Sequence, residues 1–137
     1  TLLFPYVAFA LPVSTFLFVG YIPSVPRELE EAGYMDGASI GYVAFRIIFP
    51  LCRPVAITVM ILAFLNSWNE FVLALVLLRD PYLLTLPVEL TNLAGEFTTN
   101  YPKLLAALLI ATIPVLLLYA FLGKYIMKGM TAGAVKG

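Results

Sequence analysis

Three long apolar runs constrain the fold of this chain more than any other feature: residues 2–22, 54–78 and 104–123. The hydrocarbon core of a bilayer is about 30 Å thick, and a helix needs about 20 mostly apolar residues to cross it. Each run meets that requirement. With 62% apolar and only 12% charged residues, a soluble helical core would leave too little polar surface. The sequence predicts an all-α, polytopic membrane protein with three transmembrane helices.

The start of the chain does not look like a secretory signal. It lacks a leading Met, a basic stretch and a cleavage site of small residues, which are the marks of such a signal. The first apolar run begins almost at once. We therefore expect further membrane helices upstream, in a number that the sequence does not fix.

The composition also excludes several classes of function. Net charge is zero and there is no basic run, which argues against nucleic acid as a partner. The chain has no His and one Cys, Cys52, so it predicts no His-ligated metal site, no multi-Cys metal site and no internal disulfide. No nucleophile is paired with a base, and no Gly-x-x-x-x-Gly-Lys-Ser/Thr loop is present to hold nucleotide phosphates. We predict neither catalysis nor metal binding here.

The distribution of basic residues predicts the topology. Two spans separate the polar stretch 23–53 from the tail 124–137, which places both on one side. They hold six of the eight basic residues, namely Arg27, Arg46, Arg53, Lys124, Lys128 and Lys136. The positive-inside rule makes that side cytoplasmic and the stretch 79–103 external. The apolar middle of the external stretch, residues 82–93, favours either a short interfacial helix or a capping loop.

The stretch 23–53 predicts a helix-turn-helix outside the membrane. Ser24 followed by Pro26 is typical of a helix start, and Gly37 is well placed to end that helix. A second helix is expected over residues 39–49. Pro50 and Pro54 then interrupt the path into the next span.

A polar island lies within the second span: Asn66, Ser67, Trp68, Asn69 and Glu70. Asn66, Asn69 and Glu70 are spaced to share one helical face. A carboxylate inside a membrane span, such as that of Glu70, usually faces the bundle interior or a water-filled cavity. Amides and an indole suit neutral, hydroxyl-rich ligands, but polar side chains also hold membrane helices together. A translocation path and a helix or subunit interface both remain open.

One segment of the first polar stretch carries a specific resemblance. It reads Glu31-Ala32-Gly33-Tyr34-Met35-Asp36-Gly37 and is followed by Ile47, Phe49 and Pro50. It resembles the EAA loop of bacterial ABC-importer permeases, whose pattern is Glu-Ala-Ala, three residues, Gly, nine residues, Ile-x-Leu-Pro. Gly33 replaces the second Ala, and Phe49 replaces Leu. Gly33 lowers helix propensity but stays small, which would let a partner approach closely.

Other segments are similar to the carbohydrate-uptake branch of the same family. These are the lead-in 22–32, the mid-helix sequence Trp68-Asn69-Glu70-Phe71 and the ending 129–137. The resemblance therefore covers nearly the whole chain. It identifies the chain as the C-terminal portion of such a permease.

The resemblance implies a transport subunit, not an enzyme, that imports sugars or oligosaccharides across the bacterial cytoplasmic membrane. It implies ATPase subunits that hold ATP and Mg²⁺, a second permease subunit, an extracytoplasmic solute-binding protein and surrounding lipid. The residues that it places in the loop coupling transport to the ATPase are Glu31, Ala32, Gly33, Tyr34, Asp36, Gly37 and Pro50.

Three alternatives remain at this point, the third being a purely structural membrane subunit. The first is a proton-coupled secondary carrier that uses Glu70, because an intramembrane carboxylate can relay protons. The second is an ABC permease for another organic solute, such as a polyol or a sugar phosphate. The sequence does not identify the substrate, the paired subunit or whether this chain contacts the substrate.

Overall fold

All regular elements of the described chain are helical, which confirms the predicted all-α class. The computed structural model describes the backbone of residues 2–95 and 100–134, and side chains in those ranges as far as residue 123. The chain forms two compact units. One combines the residues up to Phe9 with Leu62–Phe121, and the other combines Ala10–Ile61 with the residues from Leu122 onward.

Seven helices and two short 3₁₀ turns make up the described ranges. The helices are α1 (Leu3–Tyr21), α2 (Arg27–Met35), α3 (Ile40–Leu51), α4 (Arg53–Trp68), α5 (Val72–Leu77), α6 (Leu86–Ala94) and α7 (Tyr101–Ala134). The 3₁₀ turns are Ile22–Ser24 and Pro81–Leu83.

Within the described residues, two segments are long and apolar enough to cross a membrane. They are Leu3–Ser24, with 22 residues, and Tyr101–Gly123, with 23. At 1.5 Å per residue each is about 33–35 Å long, which matches the hydrocarbon thickness. Helices α3 and α4 pass the same test only as a pair, and the pair is bent by 73°. The third predicted span remains a prediction.

The apolar run 54–78 contains a break that the sequence analysis did not expect. Helix α4 ends at Trp68, and α5 begins at Val72 after three non-helical residues. The expectation that Asn66, Asn69 and Glu70 share one helical face does not hold for Glu70. That residue lies in the break and caps the next helix, as described below.

The long helices present their apolar side chains outward. No residue of α1 is buried, and the phenyl rings of Phe4, Phe16 and Phe121 are 81%, 77% and 72% exposed. Soluble monomers rarely expose contiguous apolar surface of this extent. These faces fit apolar surroundings supplied by lipid or by other membrane helices.

Two helices of the structure have bounds that differ from those of the predicted regions. The backbone of α7 continues as helix to Ala134, past the predicted end of the third apolar run at residue 123. A short helix, α6, lies at Leu86–Ala94 within the stretch 79–103. Residues 96–99 and 135–137, which include Lys136, lie outside the described residues, as do the side chains of Lys124 and Lys128.

Candidate functional site

The segment Arg27–Leu51, which we call the loop helix pair, consists of α2, a turn and α3. Helix α2 begins after Pro26 without a side-chain cap, and Glu28 and Glu30 occupy its first turn. Acidic side chains there interact favourably with the positive end of the helix dipole. Ser24 does not cap α2 as predicted, because its hydroxyl donates a hydrogen bond of 2.7 Å to the carbonyl of Tyr21.

Gly37 ends α2, as predicted, and does so with a φ of +77°. Its N–H donates to the carbonyl of Tyr34 at 3.0 Å, and the N–H of Ala38 donates to the carbonyl of Gly33 at 3.0 Å. These two bonds form a Schellman motif, which satisfies carbonyls that the end of a helix leaves unpaired. Both hydrogen bonds that end α2 are local to this turn.

Helix α3 starts at a side-chain cap and contains a π turn. The hydroxyl of Ser39 accepts a bond of 3.3 Å from the N–H of Tyr42. The π turn spans Val43–Ile48, and the N–H of Phe49 donates to the carbonyl of Ala44, five residues earlier.

Pro50 gives a physical reason for this wide turn. Its ring would press on the carbonyl four residues earlier in a regular α-helix, and it has no N–H to donate. The 73° bend between α3 and α4 follows at Cys52, whose side chain is buried. Pro50 therefore lies where the loop helix pair turns into the next apolar helix.

Gly33 is buried where α2 crosses α3. A Cβ at this position would lie 2.9 Å from Cδ1 of Ile47 and 3.0 Å from Cγ2 of Val43. Val43 is 1% exposed. The missing side chain lets α2 rest directly on the π turn. The sequence analysis related the small size of Gly33 to a partner, whereas the structure relates it to packing within the loop helix pair.

The opposite face of α2 is exposed in the described structure. Glu28, Glu31 and Met35 lie at helical spacing on the side away from Gly33. Met35 is 87% exposed, which makes it the most exposed of the large apolar side chains on α2. The sequence analysis did not single out Met35. An apolar residue at helical spacing from Glu28 and Glu31 was the pattern that could have identified it.

The remaining predicted loop residues lie beside that face. Ala32 and Asp36 are exposed. Tyr34 is 42% exposed, and its hydroxyl donates to Oε1 of Glu30 at 3.3 Å. Partial desolvation, the charge of Glu30 and this hydrogen bond raise the pKa of Tyr34. The phenol is therefore neutral at physiological pH and acts as a hydrogen-bond donor.

Glu70 occupies the break between α4 and α5. Its Oε1 accepts a bond of 2.6 Å from the N–H of Leu73, and its Oε2 accepts a bond of 3.0 Å from the N–H of Ala74. These are N–H groups of the first turn of α5, which have no partner within the helix. The hydroxyl of Tyr6 also donates to Oε2, at 3.0 Å. Tyr6 lies 64 residues away, and no local sequence signal pointed to it.

Trp68, the last residue of α4, is held from two sides. Its indole Nε1 donates to the carbonyl of Ala111 on α7 at 3.2 Å. Its ring stacks on that of Phe64, with centroids 5.6 Å apart and planes within 16°. The side-chain Nδ2 of the adjacent Asn69 donates to the carbonyl of Leu65 at 2.8 Å. The indole is therefore fixed against α7.

Trp68 and Asn69 line a cavity of about 380 Å³. Its remaining walls come from α6 and α7, through Leu86, Pro87, Leu90, Leu108, Ala111, Thr112 and Val115. Neither Asn66 nor Glu70 lines this cavity. Asn66 is exposed, and Glu70 caps α5. The four residues predicted to line a translocation path or an interface thus lie in three different environments.

The ionisable side chains of the described ranges do not form a cation site. Within residues 2–95 and 100–123, no group of three or more His, Cys, Asp or Glu side chains is arranged to hold a metal ion. The chemistry of the two regions consists of hydrogen bonding, apolar contact and exposed charge.

Comparison with known proteins gives a consistent result. The sequence profile of the family described as "Binding-protein-dependent transport system inner membrane component" matches residues 1–132. A sulfoquinovosyl glycerol transport system permease protein of Agrobacterium fabrum is 40% identical over 136 residues, which are 99% of this chain and 48% of that protein.

Two relatives from Bacillus subtilis are similarly close. An arabinooligosaccharides transport system permease protein is 38% identical over 126 residues, covering 92% of this chain and 45% of that protein. A melibiose/raffinose/stachyose import permease protein is 38% identical over 128 residues, covering 93% and 46%. The chain spans about half the length of these relatives.

Proposed function

This chain belongs to the family of binding-protein-dependent transport system inner membrane components, and we propose that it forms part of the permease subunit of an ATP-driven ABC importer. The family match over residues 1–132 is the observation that carries the proposal. The family match agrees with the two helices of membrane-spanning length, whose apolar side chains are exposed. In this proposal the run 54–78 forms the third span, and the loop helix pair and the C-terminus lie in the cytoplasm.

The loop helix pair is the proposed contact with the ATPase subunits. A short helix can bind in a groove of a partner through a few residues at helical spacing. Met35 would enter the apolar part of such a groove, and Glu31 and Asp36 would meet basic groups at its rim. Because Gly33 packs against Val43 and Ile47, a displacement of α2 is passed to α3 by direct contact. ATP and Mg²⁺ would be held by the partner.

Saccharides are the proposed cargo. The names of three relatives specify a sulfoquinovosyl glycerol, arabinooligosaccharides, and melibiose, raffinose and stachyose. All of these are glycosides with many hydroxyl groups. The proposal also requires a second permease subunit, an extracytoplasmic solute-binding protein and surrounding lipid.

The geometry at Glu70 favours a structural role over a proton relay. Both carboxylate oxygens accept hydrogen bonds from the first turn of α5, and one also accepts from Tyr6. A relay residue has to exchange its proton with water or substrate, whereas this carboxylate holds a helix end in place. A proton-coupled carrier is therefore the weaker reading.

Site-directed photo-cross-linking in the assembled transporter tests the ATPase contact. A photoreactive residue at position 35, on the outer face of α2, is expected to capture a P-loop ATPase subunit, which mass spectrometry identifies. The same residue at position 109 is the control. Leu109 is similarly exposed at 70% but lies on the long apolar helix α7, so it is expected to capture lipid or another membrane helix.

Uptake assays test the cargo and the energy source. Uptake of a saccharide that needs ATP and persists after collapse of the proton gradient supports the proposal. Uptake that stops with the gradient, with no ATPase captured at position 35, contradicts it. Transport of a polyol or a sugar phosphate alone would keep the importer and replace its cargo.

A further inference from the structure

The cavity beside the break in the second apolar run combines apolar walls with side chains that can form hydrogen bonds. Its walls are mostly aliphatic, from α6 and α7, and it includes one aromatic ring, that of Trp68. Its volume of about 380 Å³ falls within the range of small-molecule sites. Sugar rings have apolar C–H faces that pack on aromatic rings, and hydroxyl edges that require hydrogen bonds. The cavity offers surfaces of both kinds.

The hydrogen-bonding capacity of the cavity is only partly used. Thr112 donates its hydroxyl proton to the carbonyl of Leu108 at 2.8 Å, so its oxygen lone pairs are still able to accept. Asn69 donates one N–H to the carbonyl of Leu65 and keeps a second N–H. Its amide oxygen has no partner among the described residues. Both side chains are exposed, not sealed inside the fold. A ligand with hydroxyl groups would find one donor and two acceptors here.

The indole is also positioned before any ligand arrives. The hydrogen bond from Nε1 to Ala111 and the stack on Phe64 fix its orientation. A rigid aromatic surface loses little conformational entropy when it contacts a ligand. The break after Trp68 ends the helix at this level, which places Asn69 on the cavity wall directly after the indole.

We infer that Trp68, Asn69 and Thr112 form a saccharide subsite on this half of the permease. The indole contacts the C–H face of a sugar ring, while Asn69 and Thr112 hydrogen-bond its hydroxyl groups. The subsite makes this chain a direct contributor to substrate contact, apart from its role in coupling. The inference rests on the proposed function, since it concerns the cargo of the same importer.

The test begins with the cargo itself. The wild-type transporter, with the full-length subunit in its native complex, is assayed for uptake of arabinotriose, raffinose and sulfoquinovosyl glycerol. The saccharide that is taken up is then prepared as a diazirine derivative. Photolysis during turnover is expected to label this subunit near Trp68 and within residues 108–115. Excess unlabelled saccharide should abolish that labelling.

For each variant, labelling is measured on the cavity wall opposite the substituted residue. A loss of labelling then cannot result from removal of the labelled side chain itself. Trp68→Ala is expected to reduce labelling of residues 108–115 about tenfold. Thr112→Val is expected to reduce labelling around position 68 about three- to tenfold, which is the range for one lost hydrogen bond. Trp68→Phe keeps the ring that stacks on Phe64, and it replaces Trp68→Ala if the latter does not assemble.

Ser14→Ala is the matched control for Thr112→Val. The Ser14 hydroxyl donates to the carbonyl of Ala10 at 2.7 Å, the same bond to the fourth preceding residue that Thr112 makes. Ser14 does not line the cavity. Labelling in this variant should stay within twofold of wild type.

Two failures are distinguishable. If the wild type takes up none of the three saccharides, the proposed cargo is wrong and the subsite falls with it. If the wild type transports a saccharide but the Trp68 and Thr112 variants, normally assembled, keep wild-type labelling, only the subsite is overturned. Labelling confined to other subunits overturns it as well.

Discussion

Two interruptions of helical structure, one in the polar loop and one in an apolar run, are resolved in different ways. Between α2 and α3 the helix ends at Gly37, through two backbone hydrogen bonds and a positive φ, and restarts at the Ser39 cap. Between α4 and α5, the two carboxylate oxygens of Glu70 accept hydrogen bonds from backbone N–H groups in the first turn of α5. One of these oxygens also accepts a hydrogen bond from the hydroxyl of Tyr6 on α1. The first solution is entirely local, whereas the second adds a hydrogen bond from a distant residue to a local cap.

The difference follows from the solvent each region is expected to meet. In water, unpaired backbone groups at a helix end are solvated, so a glycine and a hydroxyl are sufficient. In a hydrocarbon environment each unsatisfied group costs several kilocalories per mole. A break within an apolar run therefore needs strong acceptors, and Glu70 supplies two oxygens. Four substitutions test this contrast, from the largest expected effect to the smallest.

Removal of the Glu70 carboxylate should have the largest effect. Glu70→Ala leaves the N–H groups of Leu73 and Ala74 and the hydroxyl of Tyr6 without their acceptor, which we expect to cost about 2–5 kcal/mol. The apparent melting temperature of the detergent-solubilised complex, followed by size-exclusion chromatography, measures the loss. Glu89→Ala is the control, because Glu89 is exposed. Equal melting of both variants would show that Glu70 does not hold the break.

Overpacking at Gly33 tests the loop side of the comparison. Gly33→Leu should destabilise the loop helix pair by about 1–3 kcal/mol, because its side chain would enter the space held by Val43 and Ile47. Gly33→Ala should be much milder, since the nearest atom, Cδ1 of Ile47, is the end of a flexible side chain. Adding Ile47→Ala to Gly33→Leu is expected to recover part of the lost stability, measured as the apparent melting temperature of the detergent-solubilised complex. No recovery would place the effect of Gly33 outside this packing contact.

A side chain at Gly37 should cost about 1–2 kcal/mol, because its φ of +77° is unfavourable for residues with a Cβ. Hydrogen exchange of residues 38–44 should accelerate in Gly37→Ala as the turn opens. Gly41→Ala is the matched control. The position of its Cβ has open space around it, and alanine favours the helix. Faster exchange in both variants would indicate a general effect of alanine in this segment.

The smallest effect is expected at Tyr6. Tyr6→Phe removes one of the three bonds to Glu70 and leaves both backbone bonds in place, so we expect about 0.5–1.5 kcal/mol. Faster exchange of the Leu73 and Ala74 amides would report it. Tyr119→Phe, on an exposed tyrosine of α7, should leave these amides unchanged. A loss as large as that of Glu70→Ala would mean that the distant bond dominates the cap.

The loop helix pair was more predictable from sequence than the apolar run 54–78. The end of α2 at Gly37 and a second helix after Ser39 were predicted correctly, because glycine and small hydroxyl residues mark helix ends locally. Ser24 was misassigned, since a hydroxyl near a helix start has other carbonyls within reach and here donates to that of Tyr21. The coupling role of the loop remains a prediction.

The break at residues 69–71 was not predicted, for a physical reason. The run 54–78 contains no glycine and has its one proline at the start, so nothing in local propensity ends the helix at Trp68. The break is closed by Glu70 and Tyr6, and the cavity beside it by α6 and α7. Contacts between residues so far apart in sequence are not visible in helical periodicity. The polar island was recognised, but its division among a cap, a cavity wall and an exposed side chain was not.

The bond between Tyr6 and Glu70 also has a consequence for the order of biosynthesis. At about 5–20 residues per second, the 64 residues that separate the two take about 3–13 seconds to synthesise. The cap of α5 by its own carboxylate uses only neighbouring residues and can form as soon as Ala74 has been made. The Tyr6 hydroxyl can donate to Glu70 only after Glu70 itself has been made. The bond between Tyr6 and Glu70 therefore forms, at the earliest, several seconds after Tyr6 has been synthesised.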